Sequence, residues 1–169
     1  MTIRWYNYNV SNTNFTSNFT SALSYWKVFY GVSVTKVTSD SFLVSLIEFV
    51  TPTTTWWNSK FNSTVVGVTY PYDTNGKEIN SAATAQSSTK KIRSALIYFN
   101  PDTNAFGYWG MTSLAYRNVI AHEVGHALGF GHYNGGASIM NSDISDFESY
   151  TGLQLYDRNE FSRKYYSNP

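Results

Sequence analysis

His122-Glu123-Val124-Gly125-His126-Ala127-Leu128-Gly129-Phe130-Gly131-His132 holds all three histidines of the chain within eleven residues. On an α-helix four residues turn about 400°, so His122 and His126 share one face, about 40° apart and one turn along the axis. Two imidazole nitrogens so placed can approach one divalent ion at the roughly 2.0–2.1 Å typical of zinc. Glu123 lies beside them on the same helix, near such an ion without ligating it. Gly129 is the residue type with which a helix ends in a left-handed turn, and that turn brings His132 back towards the same ion. Three protein ligands leave a fourth position open to water, which separates a catalytic zinc site from a sealed structural one. Three solvated helix histidines with no joint role are the plain alternative, and the fixed offsets of Glu123 and Gly129 argue against it.

Working outward, the helical pattern around this stretch runs from Ser113 to Leu128 and stops at Gly129. Upstream, Arg4 to Tyr8 reads as a first strand. Phe19, Ala22, Leu23, Trp26 and Tyr30 then recur at helical spacing, with Thr16 or Ser17 as N-cap and Gly31 as the stop. Val32 to Val37 is strand-like, and Phe42 to Phe49 is apolar on both faces, as a strand covered on both sides requires. Strand, helix, strand in this order argues for parallel pairing. Thr51 to Asn58 reads as an irregular loop. Val65 to Tyr72 is a strand that Pro71 confines to a sheet edge, followed by a hairpin-type turn at Asn75-Gly76. Ile92 to Phe99 is another strand. A last helix spans Asp157 to Tyr166, with Asp157 and Glu160 as a capping box.

The 169 residues suffice for one domain with a sizeable core. A hydrophobic share of 42% with only 14% charged residues argues against disorder. A net charge of +1 is no footprint for nucleic acid or an anionic membrane. Phe42 to Val50, the most apolar run, is far shorter than the roughly 20 residues a membrane span needs. With no cysteine, disulfides, thiolate metal sites and a cysteine nucleophile are excluded. Met1 is not followed by an apolar signal region, so a secreted enzyme would carry its signal or pro-segment outside this chain. Sequons at Asn9, Asn14, Asn18 and Asn62 fit secretion.

The pattern H-E-x-x-H-x-x-G-x-x-H resembles the signature of metzincin zinc endopeptidases, and the chain is similar to a matrixin catalytic domain. Met140, in Ala137-Ser138-Ile139-Met140, stands eight positions after His132, where such domains carry a tight Met-turn beneath the zinc. Gly67-Val68-Thr69-Tyr70-Pro71 and Asp157, Phe161 and Tyr165 also look matrixin-like. The resemblance implies a zincin-like mixed α/β (α+β) fold: a five-stranded mixed sheet with an antiparallel edge strand, two long helices, and a small C-terminal subdomain with a third helix. It implies one catalytic domain over 1–169, with 1–129 the upper part bearing the active-site helix and 130–169 the lower part bearing the Met-turn. It further implies a secreted, monomeric zinc endopeptidase acting on proteins or peptides. His122, His126 and His132 would ligate one catalytic zinc, and Glu123 would activate the zinc-bound water. Ser142 stands where astacin-like relatives place a ligating tyrosine and cannot serve as one. No histidine remains for a second zinc.

An edge strand offers free N–H and C=O groups to an extended peptide, which places substrate along Val65, Gly67, Val68 and Tyr70. The specificity-pocket wall is expected from Ser142 to Ile144, with Asn118 at its base. Asp73, Asn75, Gly76 and Glu78 read as a hairpin turn, with a calcium site as the other reading. Trp56-Trp57 should split between core and surface, a carbohydrate platform being the rival, and Phe15, Phe19 and Trp26 should be core. Two other functions fit the same chain. One is a silent binding module that keeps zinc as a staple, which 1,10-phenanthroline inhibition of peptide hydrolysis, reversed by zinc, would exclude. The other is cleavage of a non-protein amide such as a cell-wall cross-link, which casein tested against purified wall material would decide.

Overall fold

Ile3 and Trp5 point inward from Thr2–Asn7 (β1) while their neighbours are only half-buried, the period-two pattern of a strand with one covered face. The computed structural model describes residues 1–27, 30–38, 46–79 and 92–166. Among them Ser33–Lys36 (β2), Leu46–Val50 (β3), Gly67–Asp73 (β4) and Ile92–Phe99 (β5) join β1 in one five-stranded sheet, ordered β2-β1-β3-β5-β4. The pairs β1/β2, β1/β3 and β3/β5 are parallel, and β4 runs antiparallel to β5 with Thr69 opposite Ile97. Pro71 has no N–H to give, which an edge strand such as β4 tolerates. The expected strand Phe42 to Phe49 survives as β3 from Leu46 onward, its first four residues lying outside the described residues.

Among the described residues five helices follow the same chain order: Thr13–Thr16 (α1), Phe19–Ser24 (α2), Thr54–Asn58 (α3), Ser113–Ala127 (α4) and Leu155–Tyr165 (α5). The helices α1, α2 and α4 lie on one face of the sheet. Between them sits an aromatic core, in which Phe19 stacks on Phe49 at 4.2 Å and Phe15 on Phe99 at 4.0 Å. Trp26, fully enclosed, donates its Nε1–H to the Ala121 carbonyl of α4 at 3.1 Å. Phe15, Phe19 and Trp26 are core, as expected.

The first helix departs from expectation. It begins at Phe19 with Asn18 rather than Thr16 or Ser17 as N-cap, gives way to a 3₁₀ turn at Tyr25–Lys27, and is preceded by the short α1, so among the described helices before Gly129 only α4 is long. Asn18 stands at the junction of α1 and α2 with its side chain turned inward, Nδ2 donating to the Asn14 carbonyl and to Ser113 Oγ. Ser17 closes α1, Asn12 caps it, and Tyr30 is wholly exposed. Asn18, at 3% exposure, is also no glycosylation acceptor in the folded chain. The stretch expected as an irregular loop contains α3, because Thr53 Oγ1 accepts the Trp56 N–H and starts a turn. Trp57 is buried and Trp56 half-exposed against Tyr98. Near Asn75-Gly76 the chain does reverse, with Gly76 at φ +76° and Asp73 Oδ1 accepting the N–H groups of Asn75 and Lys77. Among the described residues no helix is long and apolar enough to cross a membrane.

Candidate active site

Helix α4 starts where Thr112 Oγ1 accepts the Ala115 N–H and ends where Gly129 adopts φ +83°. From Val119 to Ala127 every residue is buried, so polar side chains on this helix are held inside the molecule. The Gly129 turn carries the Phe130 carbonyl back to 2.7 Å from His126 Nδ1. His122 Nδ1 lies 2.8 Å from the Ile139 carbonyl. A carbonyl can only accept, so both Nδ1 atoms carry the proton and each neutral ring presents a bare lone pair at Nε2.

Those lone pairs converge. His126 Nε2 is 3.0 Å from His122 Nε2 and 3.2 Å from His132 Nε2. Nitrogens of a tetrahedral zinc at about 2.0–2.1 Å stand roughly 3.3 Å apart, so the spacing fits that ion. Bare lone pairs this close repel, and a shared cation relieves the repulsion; the residues present therefore fit a zinc ion. Burial, the His126 charge and the His132 charge hold the His122 imidazole well below its usual range, against the pull of its Ile139 bond. Burial likewise lowers His126 to about 4 and lowers the half-buried His132. Imidazoles that resist protonation remain available to metal. The ring of Phe147 stacks on His122 at 5.1 Å, which fixes the ring plane.

Met140 lies beneath this cluster. A Cβ on Gly125 would stand 2.2 Å from the Met140 sulfur, so only glycine lets α4 settle onto the turn. The turn is held from the far side by Asp157, which is 2% exposed. Asp157 Oδ1 accepts from Ser138 Oγ at 2.5 Å, and Oδ2 accepts the N–H groups of Ile139 and Gln154. The expected capping box is thus corrected: α5 begins at Leu155, Gln154 is its N-cap, and Asp157 is the third helical residue. One carboxylate both starts α5 and fixes Ile139, whose carbonyl orients His122.

Glu123 is 5% exposed and packs against β4. Thr69 Oγ1 donates to Glu123 Oε2 at 2.6 Å and lies 2.9 Å from the Glu123 carbonyl. Burial pushes the Glu123 carboxyl up to about 7, although the Thr69 bond pulls it down. Gly67 leaves room for it, since a Cβ there would come within 3.0 Å of Glu123 Cγ.

These groups line a cleft of about 510 Å³ between β4 and the segment after Met140. Val65, Gly67, Val68, Tyr70 and Ser142 all line it, in company with Ile144. Asn118 does not: it is fully buried behind Val119, its Nδ2 facing the carbonyls of Phe147, Glu148 and Tyr150 at 2.7–2.9 Å. The expected pocket base is thus a brace for the loop behind the wall. The free edge of β4 is also shorter than its length. Ile79 N–H donates to the Pro71 carbonyl and Asp73 N–H to that of Lys77, so the chain's own turn covers the edge beyond Tyr70. Thr69, Val119 and Phe147 also line the cleft, and the sequence reading assigned them no role. Thr69 stands two residues after Gly67, and the strand's period of two puts both on the face towards α4; Phe147 lies in a loop with no periodic signal.

The family model for matrixins matches residues 1–166. No curated protein matches the chain.

Proposed function

The chain belongs to the matrixin family of zinc-dependent endopeptidases, and on that premise we propose that Glu123 is the general base at a zinc held by His122, His126 and His132. The convergence of three imidazole nitrogens, two with their Nδ1 protons committed to backbone carbonyls, is the observation that carries this reading. His122, His126 and His132 would hold the zinc, which would supply Lewis acidity for activating water and polarising the scissile carbonyl. An extended peptide docks on the open edge from Val65 to Tyr70 and ends where the turn at Ile79 blocks further pairing. Ser142, Ile144 and Phe147 face that peptide from below. Glu123 accepts a proton from the attacking water at Oε1, the oxygen not engaged by Thr69, and returns it to the leaving amine. Met140 and Asp157 touch no substrate; they keep the floor and the Ile139 carbonyl in place.

The same proposal treats 1–129 and 130–169 as the upper and lower parts of one catalytic domain, the cleft lying between β4 above and 142–147 below. It places the enzyme outside the cell, supported by exposed sequons at Asn9, Asn14 and Asn62 and by the Ser-, Thr-, Asn- and Tyr-rich chain. Cleavage mapping on a peptide library, with Glu123→Ala as control, tests the chemistry. The expected result is peptide hydrolysis that 1,10-phenanthroline abolishes and zinc restores, and a Glu123→Ala protein that keeps zinc while losing turnover. Wild-type turnover in Glu123→Ala would eliminate the assignment.

A further inference from the structure

The inner face of β4 contacts Glu123 twice. Gly67 gives it space, and Thr69, one side-chain period further on, reaches both ends of the residue with a single hydroxyl. A hydroxyl has one proton to give, and 2.6 Å to a carboxylate oxygen marks the stronger, charge-assisted bond. The Glu123 carbonyl, 2.9 Å from the same hydroxyl, takes at most the weaker branch of that one proton. Glu123 Oε2 is thereby taken, while Oε1 lies on the Gly67 side and accepts no hydrogen bond among the described residues. Because Gly67 and Thr69 also line the cleft, the strand whose edge would receive the peptide is the strand that grips the carboxylate.

We propose that Thr69 is a positioning residue for Glu123, its hydroxyl fixing the carboxylate rotamer so that Oε1 is the oxygen presented to the water. The proposal rests on the reading of Glu123 as general base. Referring base and substrate to one strand fixes their separation, which matters because about 1 Å of misplacement can cost a hundredfold in rate. Thr69→Val keeps the side chain's shape and removes only the hydroxyl. Thr69→Ser keeps the hydroxyl and removes a methyl.

The test measures kcat and KM on a peptide substrate for Thr69→Val, Thr69→Ser and Glu123→Ala, with zinc content and unfolding curves for each and for the Thr69→Val/Glu123→Ala double variant. Thr69→Val is expected to lower kcat by between about tenfold and a hundredfold, with KM within about twofold of wild type. Thr69→Ser is expected to bring kcat back to within about twofold. In unfolding, the cost of Thr69→Val should shrink in the Glu123→Ala background, where the hydroxyl keeps only the backbone carbonyl as acceptor. Wild-type kcat in Thr69→Val, or equal losses in Thr69→Val and Thr69→Ser, overturns the proposal while an inactive Glu123→Ala leaves the base assignment standing. An active Glu123→Ala overturns the base assignment itself.

Discussion

Gly125→Ala sets two effects against each other at one position. Inside a helix, alanine is favoured over glycine by about 1 kcal/mol. Against that, the new Cβ would stand 2.2 Å from Met140 Sδ, 3.0 Å from Trp26 Cζ2 and 3.1 Å from Met140 Cε. Non-bonded heavy atoms rest near 3.5–4.0 Å, so the thioether has to retreat by more than about 1 Å. It has little room, because Met140 is 2% exposed and Trp26 is fully enclosed and tied through Nε1 to Ala121. Overpacking of this kind costs about 1–3 kcal/mol, occasionally more, and here packing should win over propensity. The expected net loss is up to about 2 kcal/mol, which lowers the melting temperature by up to roughly 8 °C in a domain this size. Thermal and urea unfolding of the metal-free protein measure it. In a Met140→Ala background the same methyl enters vacated space, so Gly125→Ala becomes neutral or stabilising there. A single variant that melts higher than wild type would refute the packing of Met140 beneath α4.

Asp157→Asn keeps an oxygen for the Ile139 and Gln154 N–H groups only by turning its N–H₂ to the Ser138 hydroxyl, which then loses its acceptor, and should destabilise by about 1–3 kcal/mol. Zinc titration should show weaker binding as well, because Ile139 orients His122; unchanged unfolding and affinity would contradict this. Asn118→Ala removes the donor shared by the carbonyls of Phe147, Glu148 and Tyr150. Steady-state kinetics should show KM raised more than kcat is lowered, and an unaltered KM would separate that brace from the pocket wall. In the metal-free protein, burial holds His126 at about 4 against its usual 6.5, so between those values the unfolded chain binds a proton that the folded one does not. Its contribution is therefore fully present above pH 6.5 and lost as pH falls towards 4, by about 3 kcal/mol. Burial raises Glu123 to about 7, which acts with the opposite sign over the same window, so urea unfolding at a series of pH values in a Glu123→Gln background should show the fall, and a flat profile there would contradict it.

The helix α4 was legible because the spacing of His122, His126 and Gly129 states both its face and its end. Strand β5 was found at its full length, and the edge position of β4 followed from Pro71, since each depends on local chemistry. Features set by long-range partners were not legible. Asn18 looks like an ordinary helix position until its amide is seen bonded to Ser113 across 95 residues. Asp157 looks like an N-cap, whereas burial against Ser138 and Ile139 makes it the third residue of the helix. Asn118, four residues before His122, invited placement in the pocket, yet its amide is claimed by carbonyls 29 to 32 residues downstream. Thr54–Asn58 has too few residues for a periodic signal, and only the Thr53 cap identifies it. In the cleft, the histidines and Glu123 were readable from spacing, while Thr69 required the pairing of β4 with β5 to show which face it occupies.

X-ray absorption at the zinc edge of the loaded protein tests the three-imidazole site most directly. The expected spectrum has one zinc per chain with three imidazole nitrogens and one exchangeable oxygen at about 2.0–2.1 Å, the nitrogen count falling when His132 is replaced by alanine. A fourth protein nitrogen in place of that oxygen, or a coordination sphere indifferent to His132, would contradict it.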